Sequence, residues 1–351
     1  MKIGILTFHL GLNHGGFLQA YSMQRFLEEM GHEVSIINYK NRIHWKRQHV
    51  LPWITPQKPW TLIRHFKKWK SFQPDFKLLN TSFFTTDSGK IEKLGLDLVV
   101  IGSDIVWNTE LFGEDLAYFG NFNVPGRVAY APSFGWMSEE TVLSEEVVHC
   151  LLKFDDIFVR DHRTQAIIKR NTNIDCQIVC DPSLLISWDQ IFSGGTDKYL
   201  LVYAFALSAE WRDKICEYAD SKGLAIVSVG YPTGLPGKLI MEIGPLNWVE
   251  MIFNASCVVT NTFHGTIFSS LSGKPFVSVD NGPSSLRNQS YLRVIHNLDR
   301  LLQIPENLSV LLSKPVSDDV RGRISELRGF SANILQQALL NADPVNKSKR
   351  S

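Results

Sequence analysis

The sequence predicts an α/β protein built as two Rossmann-like domains facing a central cleft. Three observations predict it. Short apolar runs of strand length alternate with segments of helical period. The runs are apolar throughout, as strands buried on both faces of a parallel sheet are. The alternation breaks at 186–198, "ISWDQIFSGGTDK", where Gly-Gly and weak periodicity mark a linker, and then restarts. At 351 residues the chain has room for about two domains. The expected domains are 1–188 and 197–325, followed by a C-terminal helix and flexible tail over 326–351.

In the first half, "KIGILTF" is a strand, "GLNHGG" a Gly-rich break and "FLQAYSMQRFLEEMG" a helix stopped by Gly31. "HEVSIINY" completes a β-α-β unit. "LDLVVIGSD", "RVAYAPSFG", the start of "FDDIFVRDHRTQAIIKR" and "CQIVCDPSLLIS" supply further strands. In the second half the strands are "KYLLVYAF", "LAIVSVG", "CVVTN" and "KPFVSVD". The helices between them are "AEWRDKICEYADSKG", "NWVEMIFNAS" and "TIFSSLSG". A helical stretch, "SDDVRGRISELRGFSANILQQALL", precedes the tail.

Composition excludes several classes. Net charge is +1, so no global field draws the chain to nucleic acid or membrane. The five cysteines form no CxxC pair and read as reduced thiols of a cytoplasmic protein. No HExxH, EF-hand or Cys/His cluster is present, so no metal is expected. "MKIGILTFHL" lacks a cleavage site and reads as a strand, not a signal peptide. No apolar run nears the ~18 residues of a membrane span.

One segment stands apart. Residues 40–77 hold ten Lys/Arg against one acid, Asp75, and four of the nine tryptophans, Trp45, Trp53, Trp60 and Trp69. Two readings stand: a solvated excursion whose aromatics pack on the domain, or a face that lies on an anionic membrane at the inner side of the plasma membrane. No nucleic-acid fold motif accompanies the charge, and nucleic acid is not expected as a partner.

Functional residues are sought where strands end, because parallel sheets bind ligands at their carboxyl edges. "CVVTNTFHGTIFSSL" is the sharpest case: a buried strand runs into Asn261, Thr262, Phe263, His264 and Gly265 just before a helix. Helix N-termini present N–H groups and partial positive charge, and a glycine admits close approach of a ligand. Enzymes with a GT-B fold often carry a carboxylate in this helix to hold a ribose; here no acid occurs between His264 and Asp280.

Taken in order, "ILTFHLGLNHGGFLQAYSMQRFLEEMGHEVSIINY", "VVIGSDIVWN", "VAYAPSFG", "IFVRDHRTQAIIK", "CDPSLL" and "TNTFHGTIFSSLSGKPFVSV" resemble the polysaccharide pyruvyl transferase family. The resemblance runs from residue 3 to about residue 280 and does not extend to the insert at 40–77. It implies a GT-B-like fold and transfer of pyruvate from phosphoenolpyruvate, as a ketal, to two hydroxyls of a sugar. The acceptor would be a polysaccharide or its lipid-linked precursor. No cofactor is implied.

By that resemblance His264 is the candidate general acid or phosphate partner. Arg160 would grip an anion in two-pronged fashion, or pair with Asp161. Lys274 is a donor-site cation or a solvated turn residue. Arg287, ahead of Arg293, would clamp phosphate from a Gly/Ser/Asn-rich loop. Asn261 and Thr262 would bind the donor carboxylate or cap the helix. Gly265 completes the donor set. On the acceptor side stand Asn13, His14 and Gly15, then Ser103, Asp104, Trp107 and Asn108. There Asp104 would act as base and Trp107 would stack on a sugar, unless they form a helix cap and a buried core residue. Asp181 reads as a turn residue. Two other functions are weighed: a GT-B glycosyltransferase with a nucleotide-sugar donor, and a non-catalytic glycan-binding relative.

Overall fold

The computed structural model describes residues 1–41, 43, 46, 59–192, 195 and 197–344. The chain forms two compact units, each built on a six-stranded sheet in which every pairing is parallel.

The first sheet contains β1 (Lys2–Leu6), β2 (Glu33–Ile36), β3 (Leu98–Ile101), β4 (Gly126–Tyr130), β5 (Asp156–Val159) and β6 (Gln177–Ile178). The second contains β7 (Tyr199–Tyr203), β8 (Ala225–Val229), β9 (Lys238–Ile240), β10 (Cys257–Thr260), β11 (Phe276–Val279) and β12 (Leu301–Leu302). The main helices are α1 (His14–Glu29), α2 (Pro59–Phe76), α3 (Glu145–Leu151), α4 (His162–Thr172), α5 (Ala209–Lys222), α6 (Pro245–Asn254), α7 (Phe263–Leu271), α8 (Ser285–Val294) and α9 (Asp318–Ala342).

The strand orders, β2-β1-β3-β4-β5-β6 and β12-β11-β10-β7-β8-β9, carry the functional consequence. Each order reverses direction once, between β1 and β3 and between β7 and β10. At such a switch point the loops diverge and leave a crevice at the carboxyl edge. The central strands read as apolar runs because both faces are covered; all four residues of β3, β10 and β11 are buried.

The division of the chain differs from a simple cut at the linker. The first unit comprises Met1–Gln57, Phe76–Ile186 and Leu327–Ser351; the second comprises Lys58–Asp75 and Ser187–Glu326. Both exchanges have local causes. Within the second unit α2 packs on the start of α6: the Leu246 N–H donates to Asp75 Oδ2 at 3.1 Å. Gly244 allows that approach, since a Cβ there would lie 2.6 Å from the Ser71 carbonyl. Within the first unit Arg328 Nε donates to the Leu184 carbonyl and Cys180 N–H to Ser331 Oγ, which ties the middle of α9 to the β6 exit. The tail beyond 344 and part of the linker, 193–194 and 196, lie outside the described residues.

The expected loop after β11 is partly a helix, α8, whose Asn288, Tyr291 and Leu292 are buried. The serines and asparagines of that stretch mask its period, because Ser284 and Asn288 are polar yet buried, and Asn288 donates to Ser278 Oγ.

Candidate functional site

In the second unit the β7/β10 switch point is built by β10 running out through Thr260, Asn261 and Thr262 into α7. Thr260 Oγ1 donates to the Tyr203 carbonyl at 2.8 Å, so the two strand ends are locked together. Asn261 extends that lock. Its Oδ1 accepts from Phe205 N–H at 3.1 Å; its Nδ2 donates to the Phe205 carbonyl and to Asn281 Oδ1, each at 2.6 Å. One buried amide thus holds the exits of β7, β10 and β11. Asn261 has a structural job rather than an open donor-binding face.

Thr262 caps α7: its Oγ1 accepts from Gly265 N–H at 3.0 Å, and its β-region backbone is that of an N-cap. Gly265 is required here for a reason the sequence did not suggest. A Cβ at that position would collide with Thr260 Oγ1 and lie 2.5 Å from Thr262 Oγ1. The glycine admits two threonine hydroxyls, where a ligand was expected.

His264, the second residue of α7, is 9% exposed. Its ring meets Phe263 edge-on with centroids 5.3 Å apart. The Arg287 guanidinium lies 5.4 Å from the centre of the same Phe263 ring, and its Nη2 donates to Ser284 Oγ at 3.1 Å. Phe263 therefore has a histidine and an arginine each against its ring, at the N-terminus of a nine-residue helix. Arg293 is exposed in the last turn of α8, so the pair of candidates separates: Arg287 is the one on the Phe263 ring that His264 also meets. Behind them Thr266, Ser278 and Asn288 form a buried hydroxyl-amide chain.

Lys274 is not in this group. It precedes β11 and so stands at the amino edge of the sheet, whereas His264 stands at the carboxyl edge. Its Nζ donates to the Gly195 carbonyl, and burial lowers its pKa, partly offset by Asp197.

In the first unit the β1/β3 switch point gathers the acceptor candidates. Asn13 caps α1, accepting from Gly15 and Gly16 N–H at 3.0 and 3.3 Å. His14, Gly15, Ser103, Trp107 and Asn108 are buried; Asn13 is the exposed member of that set. Trp107 is corrected to a core residue. It is fully buried, stacks on Phe119, and donates from Nε1 to the Tyr118 carbonyl at 2.8 Å, so no sugar can lie on it. Asn108 caps the turn at Thr109–Phe112 and donates to the Phe134 carbonyl.

Arg160 has buried carboxylate partners. Its Nη1 lies 2.9 Å from Asp181 Oδ2 and its Nη2 3.7 Å from Asp104 Oδ1. Asp161, the neighbour considered as its mate, instead caps α4 and accepts from Ser133 Oγ at 2.6 Å. Asp181 plays the turn role, accepting from Ser183 N–H, and holds the arginine as well. Asp104 sits at φ 69°, a left-handed conformation that Asp tolerates, with Ile105 N–H on its own Oδ1. Sequence reasoning missed Gln19, which donates to Thr7 Oγ1 and to two carbonyls and accepts from Ser103 N–H. It also missed Phe205, Asn281 and Ser284. Asn281 carried a readable signal, as a polar residue just past a buried strand.

Among the described residues no group of three or more His, Cys, Asp or Glu is placed to hold a metal ion, and no helix is long and apolar enough to cross a membrane.

Two parallel sheets with switch points at their carboxyl edges define a two-domain α/β protein of the GT-B-like class. Solved structures share that fold. One from Listeria monocytogenes, assigned provisionally as a UDP-N-acetylglucosamine 2-epimerase, is 11% identical with a TM-score of 0.54, covering 97% of this chain and 96% of that one. The S. aureus MnaA–UDP co-structure is 12% identical with a TM-score of 0.52, covering 97% and 96%. No curated protein matches. The family model for polysaccharide pyruvyl transferase matches residues 13–283, and the chain belongs to that family. It is thus a member of a transferase family that acts on polysaccharide.

Proposed function

We propose that the protein transfers the enolpyruvyl group of phosphoenolpyruvate onto two hydroxyls of one sugar, forming a pyruvate ketal on a bacterial surface polysaccharide or its lipid-linked precursor. The observation that carries this reading is the placement of His264 and Arg287 on one aromatic ring, at the β7/β10 switch point, beside a helix free of acids. A small phosphorylated acid needs cations and N–H donors. A nucleotide needs a partner for its ribose, and α7 offers none.

The chemistry balances with few groups. His264 protonates C3 of the enol and makes C2 electrophilic. One sugar hydroxyl adds to C2 and gives up its proton. Inorganic phosphate then leaves with the electrons of its C–O bond, Arg287 stabilising its charge. The second hydroxyl closes the ketal and loses its proton, so the donor and a diol yield ketal and phosphate. The donor is a co-substrate, and the reaction as written needs no cofactor or metal. Work on such precursors places the protein in the cytoplasm.

Thermal unfolding with phosphoenolpyruvate, UDP and GDP in turn tests the donor. Stabilisation by phosphoenolpyruvate alone is the expected result; stabilisation by a nucleotide alone would overturn it in favour of a sugar-nucleotide glycosyltransferase. Phosphate release in the presence of a panel of glycans then identifies the acceptor.

A further inference from the structure

Helix α2 turns its back on the protein. Its inner side is committed: Phe72 is fully buried, Lys68 lies over the Phe72 ring at 5.8 Å, and Asp75 holds Leu246 N–H. Its outer side bears two parallel rows at three-residue spacing. Ile63, Phe66 and Trp69 are 56%, 50% and 40% exposed, and Phe66 stacks on Trp69 with centroids 5.8 Å apart. One residue further along from each stand Arg64, Lys67 and Lys70, all exposed. Steps of three residues drift slowly around a helix, so each row forms one oblique stripe. The only acid between residues 40 and 77 is Asp75, on the inner side.

We infer that this outer face of α2 docks on an anionic lipid surface, with Ile63, Phe66 and Trp69 entering the headgroup boundary and Arg64, Lys67 and Lys70 meeting lipid phosphates. An apolar stripe of bulky side chains flanked by cations, on a helix with no outward acid, is the pattern such a surface selects. A second copy of the chain fits poorly, because each copy would bring three cations to the same contact. The inference is independent of the donor chemistry.

The test is co-flotation of the full chain with vesicles of phosphatidylcholine alone and of an equimolar phosphatidylcholine–phosphatidylglycerol mixture. The protein should float with the mixed vesicles only and be released by added salt. Replacing the cations together (Arg64→Gln, Lys67→Gln, Lys70→Gln) should weaken binding about a hundredfold, since each contributes about one factor of five near such a surface. Replacing the apolar row (Ile63→Ser, Phe66→Ser, Trp69→Ser) should weaken it at least about tenfold. Both variants change outward side chains alone, and their melting temperatures should match the parent. Three results would overturn the inference: equal or no binding to the two vesicle types, unchanged binding by either correctly melting variant, or a dimer in solution that the apolar replacements split.

Discussion

Gly265 rests directly on the Thr260 hydroxyl, which in turn donates to the Tyr203 carbonyl of the neighbouring strand. The first turn of α7 is therefore seated on the end of β10 with no side chain between. Gly265→Ala should force the helix off that seat and cost roughly 1–3 kcal/mol, as overpacking does. Chemical unfolding reads the loss; an alanine variant as stable as the parent would contradict the seating.

His264 and Arg287 share Phe263, so both should matter to the proposed reaction and Arg293 should not. His264→Gln should lower kcat by about a hundredfold or more with an unchanged fold. Arg287→Ala should raise the KM for phosphoenolpyruvate, while Arg293→Ala leaves both constants near parental values. A strong effect at Arg293 and none at Arg287 would reassign the phosphate clamp to the exposed end of α8.

Arg160 should behave as a structural cation. Arg160→Met removes the partner of two buried carboxylates, Asp181 and Asp104, and should cost about 3–5 kcal/mol. The measurement is urea unfolding. A stable Arg160→Met variant with a selectively raised KM for phosphoenolpyruvate would restore Arg160 to the donor site.

Asp75 caps a helix distant in sequence, and its titration has a definite sign. Burial pushes its carboxyl above the ordinary value of 3.8, and the Leu246 N–H opposes that less strongly. The folded protein then holds the proton to higher pH than the unfolded chain does, so stability from this group falls as pH rises through that window. Asp75→Asn keeps an acceptor for Leu246 and does not titrate. Its stability relative to the parent should grow between about pH 3 and about pH 6. Asp75→Ala loses the cap and should be about 1 kcal/mol less stable than Asp75→Asn at every pH. An Asn variant that parallels the parent across this range would show that the carboxyl does not sense its burial.

All five cysteines have thiols raised by burial, Cys176 and Cys257 to about 12 and Cys180 to about 11. Cys216 is the least enclosed. A thiol reagent at neutral pH should label Cys216 first and the others only as the protein unfolds. Fast labelling of Cys257, behind the β10 register, would contradict the packing.

Much of this was legible because parallel strands leave a loud signal. "LVVI" and "CVV" have nothing polar to alternate, and the polar residues that follow them, Asp104 and Asn261 among them, mark the carboxyl edge of each sheet. What sequence could not convey was where each polar group points. Trp107 beside an Asp looks like a sugar platform until its indole is found against Phe119. Arg160 looks like an anion ligand until two acids from other strand ends arrive. Lys274 was misplaced for a simpler reason: it enters its strand at the edge opposite to the site. Asp75 and Leu246 lie 171 residues apart, and no local pattern links them.

That separation also orders events on the ribosome. At roughly 5–20 residues per second, α2 leaves the ribosome some ten to thirty seconds before the helix start that Asp75 will cap. During that interval Asp75 has no Leu246 N–H to accept from and Ser71 no Gly244 to lie against. For the same reason a gene fragment cut at the linker, encoding only the second half, would yield a sheet whose α6 lacks its borrowed cap. Dissection of this protein should carry residues 58–75 with the half they serve.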